Sequence, residues 1–360
     1  MKGSAMKKKR ILSAGIILGT TALLLSACGN QQQNQENRLY IGVTYYNQSD
    51  TFLNEMLDSF KAQLEEMEVG GTVPAVTVRD AAGLQKTQND QVKELIDAGC
   101  NVLCVNLVDR ADPSDIIDLA REYDVPIIFF NREPVAEDLM QWDRLYYVGA
   151  DAKQSGVMQG ELAADEIWEN EQIDRNKDGK IQYVVLEGEA GHQDSVIRTE
   201  NSVNTLQQKG IALEKLSYEI ANWNRAQAEN RMEQMIGQYQ TSIELVLANN
   251  DDMALGAIDA YEKLNYSETS RPVIFGIDGT DDGLKAIRDS KLTGTVYNDK
   301  EGQAEMMAKL AAALVSGEGM EDLPFENDRY LMVPYFKVTP QNIEELLGEE
   351  NISPEANERG

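Results

Sequence analysis

Short apolar runs alternate with amphipathic segments along most of the chain, from residue 39 onward. The segment 52–67 carries large apolar residues at spacings of three and four, which predicts a helix with one buried face. The runs 125–130 and 245–248 are continuously apolar, which is typical of strands covered on both faces. Strands alternating with helices of this length predict parallel sheets built from right-handed βαβ units.

The predicted elements follow one another in a regular order. Strands are predicted at 40–45, 75–79, 101–107, 125–130, 181–186, 211–217, 243–248, 272–277 and 292–297. Helices are predicted at 52–67, 85–98, 113–124, 153–170, 195–209, 225–239, 251–264 and 280–290. The rhythm breaks near Gly149, and similar strand–helix units occur on both sides of the break. The pattern therefore predicts an α/β protein with two doubly wound parallel-sheet lobes that face each other across a cleft.

Composition narrows the possible functions. The 360 residues include 61 acidic and 33 basic side chains, and the formal net charge of −28 repels the phosphates of nucleic acids. A single histidine excludes a metal centre built from several histidines. Three cysteines cannot form a disulfide-dense scaffold, and Cys100 and Cys104 are predicted to be small buried hydrophobes.

The N-terminus has the layout of an export signal. A basic stretch, 7–10, precedes an apolar segment, 11–25, that is too short for a comfortable membrane span. The sequence 25–28, Leu-Ser-Ala-Cys, resembles a lipoprotein processing box, so residues 1–27 are predicted to be a signal peptide and Cys28 a lipidated anchor to the membrane. An ordinary signal peptide with an incidental cysteine is the alternative. Residues 28–38 are expected to form a flexible tether, and 348–360 a C-terminal tail. The predicted location is extracytoplasmic.

Polar and aromatic residues follow the predicted strands, where ligands bind in open α/β sheets. Planar groups that donate and accept in pairs suit vicinal hydroxyls, and flat aromatic rings suit the C–H faces of a pyranose. The mixture of charges favours a neutral polyol over a phosphate or an amino acid. Asp251 and Asp299 are interpreted as helix caps. The complete set is Tyr46, Asp50, Phe52, Asn131, Arg132, His192, Asp194, Arg198, Trp223, Asn249, Asn250, Asp251, Asp278, Asn298 and Asp299.

The segment 174–182 has a separate chemistry. It reads D-x-N-x-D-G-x-I-Q, which matches the first nine positions of an EF-hand calcium loop. The glutamate expected at the twelfth position is missing, and Val185 stands there. An Asx-rich turn is the alternative to a calcium site. The predicted oxygen donors are the side chains of Asp174, Asn176, Asp178 and Gln182 and the main-chain carbonyl of Lys180.

Seven stretches carry a resemblance to a known family. Over residues 39–347 the chain resembles the periplasmic-type glucose/galactose-binding proteins that feed ABC transporters. The matching stretches are 41–44, 105–109, 129–134, 146–149, 188–194, 248–251 and 294–299.

The resemblance implies the type I periplasmic binding protein fold. The N-terminal lobe would comprise 39–148 and 300–331, and the C-terminal lobe 153–298 and 336–347. The three hinge segments would lie near 149–152, 298–300 and 332–336. A monomer of this kind would deliver D-glucose or D-galactose to a membrane permease by hinge closure, and a chemoreceptor is a further candidate partner.

The resemblance also implies sugar contacts from every residue of the polar and aromatic set except Asn249, Asp251 and Asp299. Phe52 and Trp223 would sandwich the sugar ring, and Asp50 would accept from the hydroxyl region where glucose and galactose differ. The family pattern has Lys where this chain has Arg132, which leaves the preference for one epimer open. Glu244 would supply the missing carboxylate to a structural calcium ion.

Other functions were weighed against a hexose binder. The segment 188–195 brings a histidine, an acid and a serine together, but the chain has no nucleophile elbow and no second histidine. Asp50 and Asp194 could imitate a glycosidase pair. A phosphate loop, a dinucleotide fingerprint and an N-terminal DNA-binding motif are absent from the sequence. The chain is therefore predicted not to be an enzyme, and a binder of another sugar, such as ribose or xylose, is the nearest alternative.

Overall fold

The computed structural model describes residues 38–347. The predicted signal peptide, the lipidation site Cys28, the tether up to residue 37 and the tail 348–360 lie outside the described residues. Among the helices of the described part, none combines the length and the apolar character needed to cross a bilayer.

The first lobe is built on a six-stranded parallel sheet with the strand order β11-β5-β4-β3-β1-β2. Its strands are β1 (Tyr40–Tyr45), β2 (Ala75–Asp80), β3 (Val102–Val105), β4 (Ile127–Phe130), β5 (Leu145–Gly149) and β11 (Tyr330–Met332). Its helices are α1 (Thr51–Glu65), α2 (Gln85–Asp97), α3 (Ser114–Glu122), α4 (Ala136–Leu139) and α10 (Lys300–Ser316).

The second lobe contains a four-stranded parallel sheet with the order β7-β6-β8-β9. Its strands are β6 (Ile181–Glu187), β7 (Leu213–Ile220), β8 (Leu245–Ala248) and β9 (Val273–Phe275). An antiparallel pair, β10 (Thr295–Asn298) and β12 (Tyr335–Val338), continues this sheet through bridges at Phe275–Gly294 and Asp278–Tyr297. The helices are α5 (Ala152–Glu169), α6 (Gln193–Gln208), α7 (Arg225–Tyr239), α8 (Asp251–Lys263), α9 (Asp281–Arg288) and α11 (Ile343–Leu347).

Apolar side chains cover both faces of each sheet. Strands β3, β4 and β8 are buried at every position, as their continuous apolar runs predict. Two core clusters pack on the opposite faces of the first sheet and two more on those of the second. Cys100 and Cys104 are buried without a disulfide in the described part of the chain, and burial raises the pKa of both thiols.

The chain passes between the lobes at three places: between β5 and α5, between β10 and α10, and between β11 and β12. These crossings lie side by side. The amide of Val333 donates to the carbonyl of Gly149 at 2.9 Å, which ties two of the segments together. The amide of Tyr335 donates to Oε1 of Gln154 at 3.1 Å, just after the first crossing.

One predicted helix cap is correct and one is wrong. The side chain of Asp299 accepts from the amide of Gly302 at 2.8 Å and caps α10. Asp251 is not a cap, because the preceding residue, Asn250, accepts from the amide of Met253 at 3.0 Å and begins α8. The carboxylate of Asp251 instead points into the core.

Candidate ligand-binding site

A small cavity lies between the two lobes, at the carboxyl ends of their parallel strands. Eleven of the twelve predicted sugar contacts line it. The first lobe contributes Tyr46, Asp50, Phe52, Asn131 and Arg132; the second contributes His192, Asp194, Arg198, Trp223, Asn250 and Asp278. Three carboxylates face two guanidinium groups, so the wall is polar with nearly balanced charge.

Unusual backbone conformations aim three of these side chains. Asn131, Trp223 and Asp278 have φ angles of 58°, 60° and 119°, in the left-handed region that residues other than glycine rarely adopt. Each of them lies within a few residues of the carboxyl end of a strand. Such strain costs about 1–3 kcal/mol for each residue and is concentrated at functional sites. Three of the twelve non-glycine residues with positive φ in the described part of the chain thus line this one cavity.

Hydrogen bonds within the protein fix which groups a ligand would meet. Nδ1 of His192 accepts from the amide of Asp194 at 3.2 Å. Burial, aided by the charges of Arg132 and Arg198, lowers the pKa of His192 to about 2. The imidazole is therefore neutral and carries its proton on Nε2, which leaves it one donor.

Asn131 is oriented in the same way. Its Oδ1 accepts from Nδ2 of Asn106 at 3.0 Å, so its own amide group is the part free to donate. Its main-chain carbonyl accepts from the hydroxyl of Tyr147 at 2.9 Å, which steadies the turn after β4.

Arg198 is the central cation of the second lobe and is only 4% exposed. Its Nη1 donates to the carbonyl of Asn249 at 2.8 Å and its Nη2 to the hydroxyl of Tyr335 at 3.1 Å. Carboxylate oxygens of Asp278 and Asp194 lie 3.6 and 3.8 Å from the guanidinium. Its buried Nε has no hydrogen-bond partner among the described residues. That N–H is therefore one donor that Arg198 can offer to a ligand.

Burial raises the pKa of both neighbouring carboxyl groups, Asp194 and Asp278, while Arg198 opposes the rise. A ligand that donates hydroxyl hydrogens to these oxygens would favour their ionised form. Such a ligand would replace the hydrogen bonds that water supplies to an exposed carboxylate.

In the first lobe, Asp50 has a structural role in addition to its predicted contact with a sugar. Its Oδ1 accepts from the amide of Leu53 at 2.9 Å and caps α1, while its Oδ2 accepts from the hydroxyl of Tyr46 at 2.7 Å. Each carboxylate oxygen has two lone-pair directions, so one further hydroxyl can still donate to it.

Part of the hydrogen-bonding capacity of Arg132 is used within the protein and is not available to a sugar. Its guanidinium lies over the ring of Tyr46, 3.6 Å from the centroid, and Nη1 donates to the carbonyl of Val108 at 3.0 Å. Nη2 donates at 2.8 Å to Glu189 of the other lobe. The forked arginine thus joins the lobes next to the cavity, where a lysine could make only a point contact.

Trp223 forms one wall of the cavity because Gly188 has no side chain. A Cβ atom on Gly188 would lie 2.1–2.3 Å from three atoms of the indole ring. The ring also packs against the apolar core of the second lobe, while His192 meets it edge-on at 5.2 Å and Arg198 lies 5.9 Å from its centroid. The indole therefore has a fixed position.

One predicted contact is not on the cavity wall. Asn298 is 2% exposed; its Oδ1 accepts from Nε2 of Gln303 at 2.7 Å, and its main-chain amide donates to the carbonyl of Asp278 at 3.0 Å. Sequence reasoning missed Gly188, Glu189 and Tyr335 as residues that position the site. The match at 188–194 contains the first two, but only the folded lobes reveal what they contact.

The predicted calcium loop lies at the opposite end of the second sheet, before β6. Its Asx side chains bind its own amides: Asp174 accepts from Gly179 at 2.9 Å and Asn176 from Asp178 at 2.8 Å. Glu244 is buried, and its two oxygens accept from the amides of Arg175 at 2.6 Å and Gln182 at 3.0 Å. The loop and Glu244 thus meet, as a shared site requires.

The donor set is made of oxygens alone, which fits calcium. Within residues 38–347, however, there is no group of three or more His, Cys, Asp or Glu side chains placed to hold a metal ion. In this loop the amide groups of Asn176 and Gln182 donate to Asp178 at 3.1 and 2.9 Å. A cation here would therefore rely on amide and carbonyl oxygens as much as on carboxylates.

Comparison with known proteins places this architecture. The family model of the periplasmic binding protein domain matches residues 41–319. The chain belongs to the periplasmic binding protein family. The resemblance read from the sequence motifs is thereby confirmed, as is the fold of two parallel-sheet lobes joined by a hinge.

Three proteins similar to this periplasmic binding protein illustrate its relationships. The D-galactose/methyl-galactoside binding periplasmic protein MglB of Haemophilus influenzae is 35% identical over 95% of this chain and 100% of its own length. The ribose import binding protein RbsB of Bacillus subtilis is 27% identical over 83% and 90%. An ABC transporter solute-binding protein of Bacillus halodurans, solved with myo-inositol, has a TM-score of 0.71 and 29% identity, covering 86% of this chain and 98% of its own.

These relatives bind solutes and are not enzymes, so the prediction that this periplasmic binding protein is not an enzyme is confirmed. Membership of the family also confirms the extracytoplasmic location. The cavity between the lobes is accordingly a candidate site for holding a solute and releasing it unchanged.

Proposed function

We propose that this protein binds D-galactose or D-glucose in the cavity between its lobes and delivers the sugar to an ABC permease. The observation that carries the proposal is the convergence of eleven polar and aromatic residues from both lobes on one cavity. A ligand that contacts both lobes binds the closed form better than the open form, and so drives hinge closure.

The chemistry of the wall supports a hexose. The free donors include Nε2 of His192, the amide of Asn131 and Nε of Arg198, while Asp50, Asp194 and Asp278 provide acceptors. Alternating donors and acceptors suit the adjacent hydroxyl groups of a pyranose, which donate and accept at once. Phe52 and Trp223 line the same cavity and offer apolar faces to its C–H groups.

The similarity to the H. influenzae galactose/methyl-galactoside binder favours galactose and glucose over other sugars. The relatives named for ribose and myo-inositol make another polyol the alternative. Asp50 is the group proposed to meet the hydroxyl at which glucose and galactose differ. Arg132 is proposed to influence this choice indirectly, because much of its fork is already bound to Val108 and Glu189.

Isothermal titration calorimetry with galactose, glucose, ribose, xylose and myo-inositol tests the proposal. Galactose or glucose should bind with the lowest Kd of the five. Asp278→Asn should weaken the binding of the preferred sugar, whereas Asp289→Asn, on the exposed end of α9, serves as a matched control and should not. Tighter binding of ribose, xylose or myo-inositol would transfer the assignment to that polyol.

We also propose a structural calcium site formed by the loop 174–182 and Glu244. The oxygen-only donor set supports it, as does the contact of Glu244 with the loop. A bound calcium would supply positive charge that relieves repulsion among the acidic side chains. Because the loop precedes β6 and the cavity lies beyond the carboxyl end of β6, the ion is expected to stabilise the second lobe without contacting sugar.

Lipidation of Cys28 is proposed from the sequence 25–28 alone, since Cys28 lies outside the described residues. Two acyl chains give stable membrane anchoring where one gives only marginal binding. Cys28→Ala should release the protein from the membrane into the soluble fraction, as measured by fractionation and immunoblotting. Retention of this variant in the membrane would disprove the anchor.

A further inference from the structure

A second set of contacts joins the lobes away from the ligand cavity, and none of its residues lines that cavity. It consists of Glu55 on α1, Lys300 at the start of α10, and Asp281 at the start of α9. Glu55 and Lys300 belong to the first lobe, and Asp281 belongs to the second. We refer to these three residues as the cleft clamp.

One contact of the cleft clamp lies within the first lobe, and two cross the cleft to Asp281. Nζ of Lys300 donates to Oε2 of Glu55 at 2.5 Å and to Oδ1 of Asp281 at 3.0 Å. The main-chain amide of Asp281 donates back to Oε1 of Glu55 at 3.1 Å. The charged groups of the first lobe therefore hold both the side chain and the backbone of one residue of the second.

Burial makes Lys300 the critical member. Its side chain is 5% exposed and that of Glu55 19%, whereas Asp281 remains 82% exposed. A lysine ammonium so far from water needs its partners, because an unpaired buried charge is costly. If the lobes separate, Lys300 loses Asp281 and keeps only Glu55.

The position of the clamp couples it to the hinge. Lys300 is the first residue of α10 and directly follows the crossing between β10 and α10. A further contact, from the hydroxyl of Thr51 to Asp252 at 2.7 Å, joins α1 to α8 on the same side of the cleft. The start of α1 thus faces the starts of two helices of the other lobe.

We propose that the cleft clamp stabilises the closed form by a fixed amount that does not depend on which ligand occupies the cavity. The inference rests on the proposed function only in that a sugar is used to report closure. A contact present only in the closed form raises the population able to hold ligand, and so lowers the apparent Kd by one common factor. Cavity residues, in contrast, change the Kd of each sugar differently.

The neighbouring residue provides a matched control. Asp282 follows Asp281 in the first turn of α9 and is also exposed, but it pairs at 3.4 Å with Arg225 of its own lobe. Asp281→Asn and Asp282→Asn therefore remove the same charge from adjacent positions, and only the first removes a contact across the cleft.

The test measures the Kd of two sugars by calorimetry and the radius of gyration without sugar by small-angle X-ray scattering. Asp281→Asn should raise both Kd values by the same factor, about 2- to 5-fold, as expected for one partly exposed ion pair. Its radius of gyration without sugar should exceed that of the wild type and of Asp282→Asn. Lys300→Gln should act in the same direction and more strongly, if it folds.

Equal effects of Asp281→Asn and Asp282→Asn on Kd and on the radius of gyration would overturn the proposal. So would a change in the ratio of the two Kd values, because that would place Asp281 among the selectivity groups. Should no sugar bind to the wild type, the proposed function fails, but scattering without sugar still decides whether the clamp closes the cleft.

Discussion

The indole of Trp223 lies against Gly188, and this contact makes the aromatic wall of the cavity testable without altering any polar group. In Gly188→Ala, the new Cβ would lie 2.1–2.3 Å from three ring atoms. Carbon atoms in contact need about 3.5–4.0 Å, so the ring has to move by about 1.3 Å or more. Gly188 itself is buried, which limits how far the backbone can yield instead.

The expected cost follows from the loss of one stacking face. Aromatic contacts of this kind are worth about 1–2 kcal/mol, so the Kd for hexose should rise about 5- to 30-fold. Calorimetry at 25 °C measures the change. Gly237→Ala is the control, because Gly237 lies on the exposed face of α7 with nothing within 4 Å of its Cβ position. That substitution should leave the Kd unchanged and stabilise the helix slightly.

A double-mutant cycle separates displacement of Trp223 from any other effect of the added methyl group. Trp223→Ala alone should weaken binding by a similar or larger factor. Adding Gly188→Ala to it should then cost less than about 2-fold, since the displaced ring is gone. Additive losses in the two single variants would refute the reasoning, as would unchanged binding in Gly188→Ala.

Three further predictions concern carboxylates. Asp50→Asn keeps the shape of the α1 cap but removes a charged acceptor, so calorimetry should show a Kd for hexose that is about 10- to 100-fold higher. A large drop in Tm with an unchanged Kd would mean that Asp50 has only a structural role. Burial raises the pKa of Asp251 to about 7 in the folded protein. Between about pH 4 and pH 7 the folded protein therefore keeps a proton on Asp251 that the unfolded chain has released. The free energy of unfolding should fall as the pH rises through this range. Urea unfolding of Asp251→Asn should show a flatter pH dependence over that window, and an unaltered profile would contradict the assignment. Removal of calcium with a chelator should lower the Tm of the wild type but not that of Asp178→Ala, and hexose binding should persist. The free energy of unfolding should fall by up to about 2.7 kcal/mol if calcium was present at 100 times its Kd. If neither chelator nor added calcium changes the Tm of the wild type, the loop is an Asx-rich turn.

The sequence was sufficient to predict those parts of the fold that local patterns determine. Continuous apolar runs predicted the buried strands β4 and β8, and the spacing of apolar residues predicted α7 at 225–239, which are its observed bounds. The lining of the cavity was also predicted in large part, because the carboxyl ends of parallel strands converge at one edge. Helix α10 is not among the predicted helices and falls only within a segment predicted for the first lobe. Its alanine-rich sequence is apolar around much of the helix circumference, so no single buried face stands out.

The remaining features depend on distances that no local pattern encodes. Asn249, Asn250 and Asp251 are three consecutive residues able to cap a helix, and only the backbone angle of Asn250 decides which one does so. The misassigned Asp251 has room in the core because Gly276 and Gly283 lack side chains; a Cβ on either would lie 2.1–2.2 Å from its oxygens.

Contacts between the lobes were beyond prediction for the same reason. The ion pair of Arg132 with Glu189 joins residues 57 positions apart, and the hydrogen bond from the amide of Asp281 to Glu55 joins residues 226 positions apart. Their partners become neighbours only when both lobes are folded and the cleft is closed. The cleft clamp is proposed to differ in role from the cavity residues, because it acts on closure and not on the identity of the ligand.

The most direct test of hexose binding between the lobes is a crystal structure of the protein with galactose. The sugar ring is expected between Phe52 and Trp223, with hydroxyl oxygens within about 3.2 Å of Nε of Arg198 and Nε2 of His192. Carboxylates of both lobes are expected to accept hydrogen bonds from the sugar. Galactose bound outside this cavity, or held by one lobe alone with Nε of Arg198 still unpaired, would contradict it.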